Sequence, residues 1–379
     1  MESLSINEVK FNDLPLFDGA KGFSVVYLEG EFHLFYAVNG FMKGCVMHLS
    51  SVDGYLWRRK EMAVTTTKRI NSVTAHALNG KIYLYYLTYN IFGLTDLYLT
   101  VSKDGEGFLP LPNALVKNTK LLDLKGFFSE GMRYLMGSEI KGGIVPLYSS
   151  MDGKEWTPFH LFNKVEEGEV GEYLGAPSPF VAYDKTLIAY SMLGAKVAEC
   201  EVDIQNGTIS LHKVILETYA EVIRSVMVRE ATPILFLGCG CAVVPVEVYY
   251  DENGIAFRLF REVLNGAKLR VDNGVEENGT MPSKLVREQG ILHSFTIKNK
   301  SGTVIEFGGA TLEIGENGEF ILDGDVELYL DGETLSVNVI DEGNLIVVEI
   351  GGGVYPIPTG ISEVINVNVT DYQYESYKL

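Results

Sequence analysis

The segment Ser51-Val52-Asp53-Gly54-Tyr55-Leu56-Trp57 decides the fold because it recurs along the chain. It returns as Ser102-Lys103-Asp104-Gly105-Glu106-Gly107-Phe108 and as Ser150-Met151-Asp152-Gly153-Lys154-Glu155-Trp156, with weaker echoes at Asp203 and Asp251. The aspartates at 53, 104, 152, 203 and 251 are spaced by 51, 48, 51 and 48 residues. A period near 50 residues, in a chain rich in aromatic residues and glycine, is typical of propeller blades built from four strands and their turns.

A second element lies upstream of each copy. Gly30-Glu31-Phe32-His33-Leu34-Phe35-Tyr36 is repeated as Gly80-Lys81-Ile82-Tyr83-Leu84-Tyr85-Tyr86 and as Gly131-Met132-Arg133-Tyr134-Leu135-Met136. This pattern predicts a glycine turn followed by a central strand that is buried on both faces. The Asp-Gly turn then joins the outer strands, and its carboxylate accepts nearby backbone N–H groups. We therefore interpret these aspartates as scaffold.

The pattern changes near residue 262, which predicts two domains. After about residue 280, turns such as Gly315-Glu316-Asn317-Gly318 come every 8 to 10 residues, as in an antiparallel sandwich. We predict an all-β protein with a five-bladed β-propeller in residues 1–262 and a β-sandwich in residues 263–379. Residues 301–379 hold 15 acidic side chains and one basic one, 1 − 15 = −14 of the total of −19. Solvated turns explain this charge, with a calcium site near Asp323-Gly324-Asp325 as an alternative.

The composition excludes several classes of partner. The 31 basic and 50 acidic side chains give a net charge of −19, which disfavours nucleic acid and anionic membrane surfaces. The start, Met1 to Ser5, has no signal-peptide pattern, and the longest uncharged run, Ala231 to Val246, is interpreted as buried strand. Cysteines 45, 200, 239 and 241 form no disulfide framework, so we expect reduced thiols and a cytoplasmic location.

The repeats also resemble a known family, the invertase-like fructosidases of glycoside hydrolase family thirty-two. Gly30 to Tyr36 is similar to the family's first-blade strand G-x-Y-H-L-F-Y, and His48 with Ser51 to Trp57 is similar to its G-H-A-x-S-x-D-x-x-x-W segment. Leu122-Asp123-Leu124-Lys125 takes the place of the R-D-P motif. Glu327 to Val339 resembles the sandwich hairpin I-F-V-D-x-S-x-x-E-V-F-V. These matches occur in the family's order over nearly the whole chain.

The resemblance implies a retaining glycosidase mechanism. Such an enzyme needs a nucleophilic carboxylate and an acid/base carboxylate about 5–5.5 Å apart, with the acid/base held at a raised pKa. In the resembled family the nucleophile is the aspartate of N-D-P-N-G. The aspartate of R-D-P binds sugar hydroxyls, and the glutamate of E-C-P is the acid/base. No cofactor is needed.

This chain matches those motifs in part. An ungapped count back from His33 places Lys21 at the nucleophile position, with Asp18 three residues earlier. Asp123 keeps the third-blade aspartate, although Leu122 and Leu124 replace its arginine and proline. Gly175-Ala176-Pro177 aligns with E-C-P, and Glu172 lies three residues upstream of Gly175. The resemblance thus makes Asp18 the candidate nucleophile, Glu172 the candidate acid/base and Asp123 the hydroxyl binder.

Further residues are candidates for substrate binding. Lys21 is a candidate to bind an anionic group of a modified sugar, and His48 and His76 lie near the inner parts of their blades. The aromatic candidates for stacking on a sugar face are Phe41, Tyr89, Phe92 and Tyr173, with packing in the core or at the rim as the alternative use of each. The six histidines show no H-x-x-x-H or H-E-x-x-H spacing, so we expect no zinc site and no metal or organic cofactor.

Three functional readings stay open at this stage. In the first, short insertions bring Asp18 and Glu172 into working positions and the protein hydrolyses a fructoside or related furanoside. In the second, the protein is a non-catalytic sugar-binding relative with Asp123 as its main polar anchor. In the third, the propeller is a platform for interactions. The first two imply a small-molecule or oligosaccharide ligand, and the sequence carries no signal for an oligomeric state.

Overall fold

The computed structural model of the protein is built from strands and turns over the residues that it describes. These residues are 8–10, 21–40, 43–54, 56–90, 93–119, 121–129, 131–138, 144–164, 174–191, 194–218, 220, 222–229, 231–239, 242–251, 254–261, 269–276, 284–286, 291–298, 303–307, 310–315, 319–322, 325–329, 334–341, 345–358, 364–368 and 372–378. Within them no helix has the length and apolar character needed to cross a membrane. The chain divides into two compact units, one of Met1–Glu217 and Glu221–Ile255, the other of Thr218–Ala220 and Ala256–Leu379.

The first unit contains five blades of antiparallel strands, and the strand of each blade that lies nearest the centre is called its inner strand. Blade 1 comprises β1 (Glu8–Lys10), β2 (Lys21–Leu28), β3 (Glu31–Gly40), β4 (Lys43–Ser51), β5 (Leu56–Arg59) and β6 (Val64–Thr66). Blade 2 comprises β7 (Ile70–Leu78), β8 (Lys81–Tyr89), β9 (Thr95–Ser102), β10 (Leu109–Pro110) and β11 (Val116–Thr119). Blade 3 comprises β12 (Lys125–Ser129), β13 (Met132–Met136), β14 (Ile144–Ser150) and β15 (Thr157–Lys164), and blade 4 comprises β16 (Gly175–Ala182), β17 (Lys185–Ser191), β18 (Ala195–Asp203) and β19 (Thr208–Thr218). Blades 3 and 4 form one eight-stranded sheet, because β15 and β19 pair in parallel at their outer edges. Blade 5 comprises β20 (Val222–Arg229), β21 (Thr232–Cys239), β22 (Ala242–Asp251) and β23 (Gly254–Leu259), of which the residues from Ala256 onward are assigned to the second unit.

The inner strands close a ring around a central channel. Contacts run from β2 to β7, then to β12, β16 and β20, and from β20 back to β2. The N–H of Leu124 donates to Ser72 Oγ and the N–H of Gly126 donates to Thr74 Oγ1, so β12 and β7 advance in the same direction. In a propeller whose blades each begin their inner hairpin in this way, all five inner strands share that direction along the channel. We call the end where they begin the mouth and the opposite end the lower end. This ring confirms the predicted five-bladed propeller.

Hydroxyl side chains join neighbouring inner strands within this ring. The inner strand of a blade is an edge strand, so every second backbone N–H lacks a partner in its own sheet. The N–H of Ala75 donates to Ser24 Oγ at 2.9 Å, and the N–H of Gly126 donates to Thr74 Oγ1 at 3.0 Å. The N–H of Val25 donates to Ser225 Oγ at 3.0 Å, which links the fifth blade to the first.

The Asp-Gly turns have the predicted local structure. In blade 3, Asp152 Oδ1 accepts the N–H groups of Lys154 at 2.8 Å and Glu155 at 2.9 Å. Ser150 Oγ donates to the same carboxylate and accepts the N–H of Gly153 at 2.8 Å. Blades 1 and 2 repeat the serine–aspartate bond at 2.9 and 3.1 Å. The carboxylates therefore serve the scaffold, as the sequence predicts.

Each of two such turns also packs on the preceding blade. A Cβ at Gly105 of blade 2 would lie 2.4 Å from the ring of His33 in blade 1, so only glycine fits against that buried histidine. The next aromatic residue, Phe108, meets Phe35 of blade 1 edge-on at 5.5 Å. In blade 3, a Cβ at Gly153 would lie 2.6 Å from the hydroxyl of Tyr85 in blade 2 and would also meet Arg133 of its own blade. Trp156 packs edge-on against Tyr85 at 5.4 Å. The repeat therefore encodes the contact between blades.

The second unit is a sandwich of two six-stranded sheets. Its strands are β24 (Leu269–Glu276), β25 (Lys284–Val286), β26 (Ile291–Lys298), β27 (Val304–Phe307), β28 (Ala310–Ile314), β29 (Glu319–Leu322), β30 (Asp325–Tyr329), β31 (Thr334–Asp341), β32 (Leu345–Ile350), β33 (Gly353–Pro358), β34 (Val364–Asn368) and β35 (Tyr372–Lys378). One sheet has the strand order β24-β35-β26-β31-β32-β33, and the other has the order β25-β34-β27-β28-β29-β30. Both sheets contribute to one core, for example Phe295 and Val337 from the first and Leu312 and Phe320 from the second. The all-β fold class is confirmed in both units.

We expect Gly105→Ala to destabilise the first unit more than Gly80→Ala. Both glycines have positive φ, +76° and +67°, so both variants carry the same left-handed backbone cost of about 1–2 kcal/mol. Gly80 has open space around it, whereas Gly105 abuts His33, which adds an overpacking cost of about 1–3 kcal/mol. Urea unfolding followed by tryptophan fluorescence measures this unit alone, because Trp57 and Trp156 are the two tryptophans and both lie in it. Equal midpoints for the two variants would contradict the proposed packing.

We expect Ser225→Ala to weaken the closure of the ring. The substitution leaves the buried N–H of Val25 without its acceptor, at a cost of about 1–3 kcal/mol in the free energy of unfolding. Thr67→Ala is the matched control, since it removes a hydroxyl from an exposed bend. The same fluorescence measurement decides, and a Ser225→Ala protein as stable as the control would refute the role of this bond.

Candidate active site at the channel mouth

The inner strands begin irregularly at the mouth, and this irregularity positions the polar groups there. The ladder register shifts between Lys21 and Phe23, between Ile70 and Ser72, between Gly175 and Ser178, and between Ile223 and Ser225. Such bulges insert a residue, end regular pairing and re-aim side chains, and they are common beside active sites. Four blades therefore present a non-repetitive rim to the channel.

Asp123 is the carboxylate that the structure places at this mouth. It is an exposed residue two positions before the start of β12. The hydroxyl of Ser138 donates to Asp123 Oδ2 at 2.8 Å, and Ser138 Oγ accepts the N–H of Ala176 in blade 4 at 3.1 Å. Asp123 Oδ1 makes no hydrogen bond with any residue that the structure describes. One carboxylate oxygen is thus fixed and the other is available to a ligand.

The backbone at Asp123 and at Ala176 is left-handed, with φ of 46° and 48°. Aspartate adopts this conformation more readily than most residues, whereas for alanine it costs conformational free energy. Strained backbone of this kind persists where surrounding contacts enforce it, and it concentrates at functional sites. Here the two strained residues are joined through Ser138, so the starts of blades 3 and 4 are held together.

Blade 2 contributes a polar pair and an aromatic residue to the same end. The hydroxyl of Tyr89, the last residue of β8, donates to Asn71 Oδ1 at 2.6 Å. Asn71 is buried, but the Tyr89 residue keeps 41% of its surface exposed. Tyr89 therefore has a fixed hydroxyl and an exposed ring near the inner strand's start, which suits stacking against a sugar face.

Lys125 reaches across the channel below the mouth. Its ammonium group donates to the carbonyl of Phe23 in blade 1 at 3.5 Å and to the carbonyl of Arg224 in blade 5. Burial lowers the pKa of Lys125 to about 8, the charge of Asp123 acts to raise it, and Arg224 acts to lower it. A cation therefore lies two residues from the candidate sugar-binding carboxylate.

A cavity of about 630 Å³ occupies the channel toward its lower end. Most of its walls come from the later parts of the inner strands, and the outer strands of blade 4 add Thr186 and Val202. Most lining side chains are apolar, such as Phe127, Phe180 and Met227. The polar mouth and this apolar space are thus different environments within one channel.

His48 lies in the protein core. It is on β4, the third strand of its blade, so two strands separate it from the channel by about 10 Å. The residue is fully buried, stacks on Phe35 at 4.7 Å, and its Nε2 is 3.0 Å from Nδ1 of His33. Burial, followed by the charges of His33 and Lys60, lowers the pKa of His48 to about 3. These contacts are those of a packed core histidine, and the structure does not bring it to the mouth.

His76 is on an inner strand but near the lower end, roughly 13 Å along the strand direction from the level of Asp123. It lines the apolar cavity, packs edge-on against Tyr85 at 5.7 Å and abuts Gly126. Burial, and secondarily Arg133, lowers the pKa of His76 to about 4. The structure therefore separates His76 from the mouth as well.

Three predicted residues are not placed by the structure. Asp18 and Glu172 lie outside the described residues, as does Asp323 of the calcium alternative. Lys21 is the first residue of β2 at the mouth, and its side chain is also outside the description. Gly175, at the position of the family's acid/base, is the first residue of β16 and is buried. The roles of Asp18, Glu172 and Lys21 stay predictions.

Sequence reasoning missed Ser138 and Lys125. Ser138 follows the second strand of blade 3 and has no motif around it. Lys125 could have been recognised from the sequence, because a lysine at the start of an inner strand must reach solvent or find hydrogen-bond acceptors.

A five-bladed propeller followed by a β-sandwich is the fold of the solved fructosidase structures. The resemblance found in the sequence is thereby confirmed at the level of the fold.

Solved structures with this architecture cover most of the chain at low sequence identity. The β-fructofuranosidase BmSUC1 of Bombyx mori has a TM-score of 0.73 and 18% identity, over 95% of this chain and 90% of that one. The sucrose-6-phosphate hydrolase of Lactobacillus gasseri gives 0.73 and 14% over the same shares. The exo-inulinase of Aspergillus awamori gives 0.73 and 12%, over 98% and 97%. No family model and no curated protein sequence matches the chain.

Two of the three buried histidines of the described residues, His48 and His76, predict an acid-sensitive first unit. In the folded protein their pKa values are about 3 and about 4, below the ordinary value of 6.5. Between these pH values the unfolded chain therefore binds more protons than the folded chain. The stability is fully present above pH 6.5 and falls as the pH drops toward 4. Urea unfolding at a series of pH values, followed by tryptophan fluorescence, should show that the free energy of unfolding decreases with falling pH. In His76→Gln, whose side chain is neutral at every pH, we expect a smaller decrease. If the free energy of unfolding of that variant depended on pH as it does in wild type, the contribution assigned to His76 would be contradicted.

Proposed function

We propose that the protein is a glycoside hydrolase that cleaves a fructoside or a related furanoside at the propeller mouth, with retention of configuration. The carboxylate of Asp123, fixed through one oxygen and open at the other, is the observation that carries this proposal. The fold shared with the fructosidases supports it. A fructosyl group presents several hydroxyls, and a carboxylate accepts hydrogen bonds from two of them at once.

The proposed chemistry follows double displacement. The carboxylate of Asp18 attacks the anomeric carbon of the fructosyl unit while the carboxyl group of Glu172 donates its proton to the leaving oxygen. Water, deprotonated by Glu172, then attacks the same carbon and releases Asp18. In this scheme Asp123 binds and orients the sugar through its hydroxyls.

The geometry of Ser138 supports a role for this end of blades 3 and 4. Its hydroxyl joins the Asp123 carboxylate to the backbone of Ala176, one residue after the aligned position of the acid/base. A sugar held by Asp123 therefore lies beside the start of β16, where Glu172 precedes the strand by three residues.

The substrate class rests on the solved relatives. The Bombyx mori enzyme is described in complex with sucrose, and a β-fructofuranosidase of Schwanniomyces occidentalis in complex with fructosyl-erythritol. We propose a fructosyl group as the recognised unit here, with the ring of Tyr89 as a stacking surface. Lys21 is proposed to bind an anionic group where the sugar carries one.

The second candidate is a sugar-binding protein without hydrolysis. Gly175 favours it, because this buried residue at the start of β16 supplies no carboxyl group at the aligned acid/base position. In this alternative Asp123 is the main anchor for the sugar and the same mouth binds without turnover.

We expect Asp123→Asn to lower kcat/KM for sucrose or an inulin-type oligosaccharide by about 10- to 100-fold, because a charged acceptor becomes a neutral amide. Asp184→Asn is a matched control: Asp184 is also an exposed aspartate with positive φ, and it lies in the turn between β16 and β17 at the lower end. The assay measures released reducing sugar. Equal effects of the two substitutions would refute the role of Asp123.

Asp18→Asn and Glu172→Gln test the alternative in the same assay. Hydrolysis predicts a loss of at least about 10³-fold in kcat for each. If wild type binds sucrose by calorimetry but releases no reducing sugar, and Asp123→Asn abolishes binding, the sugar-binding reading holds instead.

A further inference from the structure

Lys125 breaks a regularity of the propeller ring. Counted from the last residue of each inner strand, the same position is occupied by Ser24, Thr74, Lys125, Ser178 and Ser225. Four of the five blades therefore have a hydroxyl there, and the hydroxyls of Ser24, Thr74 and Ser225 each accept an N–H from the following blade. Blade 3 has an amine, which donates hydrogen bonds and accepts none while protonated.

The following blade has the complementary change. The donors to Ser24, Thr74 and Ser225 are Ala75, Gly126 and Val25, which share the next position of their own strands. In blade 4 that position is Pro179, and proline has no N–H. The one blade that lacks the hydroxyl acceptor thus precedes the one blade that lacks the donor. A hydroxyl at residue 125 would have no N–H to accept from residue 179.

The amine instead binds across the channel. Its partners are the carbonyls of Phe23 and Arg224, which occupy equivalent positions in blades 1 and 5, one residue nearer the mouth than Lys125 itself. These carbonyls belong to edge strands and face the channel, so a cation satisfies them where no sheet partner exists. The apolar cavity begins at the level of Ser178, on the other side of this amine.

We propose that Lys125 is a positioning residue that ties the inner strand of blade 3 to those of blades 1 and 5 and forms the floor between the channel mouth and the apolar cavity. It replaces the hydroxyl–amide bond that Pro179 rules out. Because Asp123 lies two residues before Lys125, the brace also sets where the candidate sugar-binding carboxylate stands. This last step rests on the proposed function, whereas the structural role does not.

The first test is a double-mutant cycle of stability on the full chain. Lys125→Thr removes the brace and leaves a hydroxyl without a donor, and Pro179→Ala creates an N–H without an acceptor, so each alone should lower the urea midpoint. Lys125→Thr/Pro179→Ala recreates the bond found between other blades and should unfold at a higher urea concentration than Lys125→Thr. A double variant no more stable than Lys125→Thr overturns the inference.

Lys125→Met, with a side chain of similar length and no charge, tests the brace directly against Lys154→Met, an exposed lysine. We expect only the first to lower the urea midpoint, and equal midpoints would overturn the inference. Reductive ¹³C-methylation followed by NMR should show one lysine titrating near pH 8 in wild type and not in Lys125→Met. The absence of that signal in wild type also contradicts the assignment.

The catalytic readout separates this inference from the proposed function. If sucrose is hydrolysed, Lys125→Met should raise KM about five- to tenfold with kcat changed less than about twofold, since the carboxylate that holds the sugar moves while the reacting groups remain. A loss confined to kcat contradicts the positioning role. If wild type cleaves no fructoside, the proposed function fails and the stability cycle alone decides the role of Lys125.

Discussion

The propeller depends on one constraint: the backbone N–H groups on the channel side of each inner strand need acceptors that their own sheet does not provide. A buried N–H without a partner costs about 1–3 kcal/mol, which is a large part of a domain's stability. The protein meets this need with short hydroxyl side chains placed on the preceding blade, as at Ser24, Thr74 and Ser225. Each bond both satisfies a donor and fixes the spacing between two blades, so the channel has a defined width.

The candidate site uses the same architecture for a different purpose. At the mouth, bulges interrupt the ladders, and the groups that regular pairing would occupy become available for a ligand. Ser138 joins Asp123 to the next blade, as the hydroxyls of the ring join neighbouring inner strands. In addition, its hydrogen bond fixes the orientation of the Asp123 carboxylate. Preorganised charge of this kind is what a site needs to orient a hydroxylated substrate. The scaffold and the site are therefore continuous along the inner strands.

The sequence predicted the parts of this protein that arise from local, repeated signals. The Asp-Gly turns and the aromatic residues after them recur at a fixed period, and the structure confirms both the turns and the five blades. Asp123 was assigned to the third blade on another ground, its resemblance to the R-D-P motif of the fructosidases. The hydroxyl bonds between blades could not be predicted, because serine and threonine are common in strands and the partner lies as far as 200 residues away. His48 illustrates another limit: both faces of a blade are buried, so alternation along β4 does not distinguish a residue facing a ligand from one in the core.

The bond between Ser225 and Val25 has a consequence for biosynthesis. Blade 1 is synthesised before blade 5, but the acceptor for its Val25 N–H belongs to β20, the inner strand of blade 5. Until about 200 further residues have been made, the first blade exposes an open edge to the cell, and such edges recruit other strands. We therefore expect a nascent chain stalled before residue 222 to be prone to aggregation, since the strand that covers this edge has not yet been made.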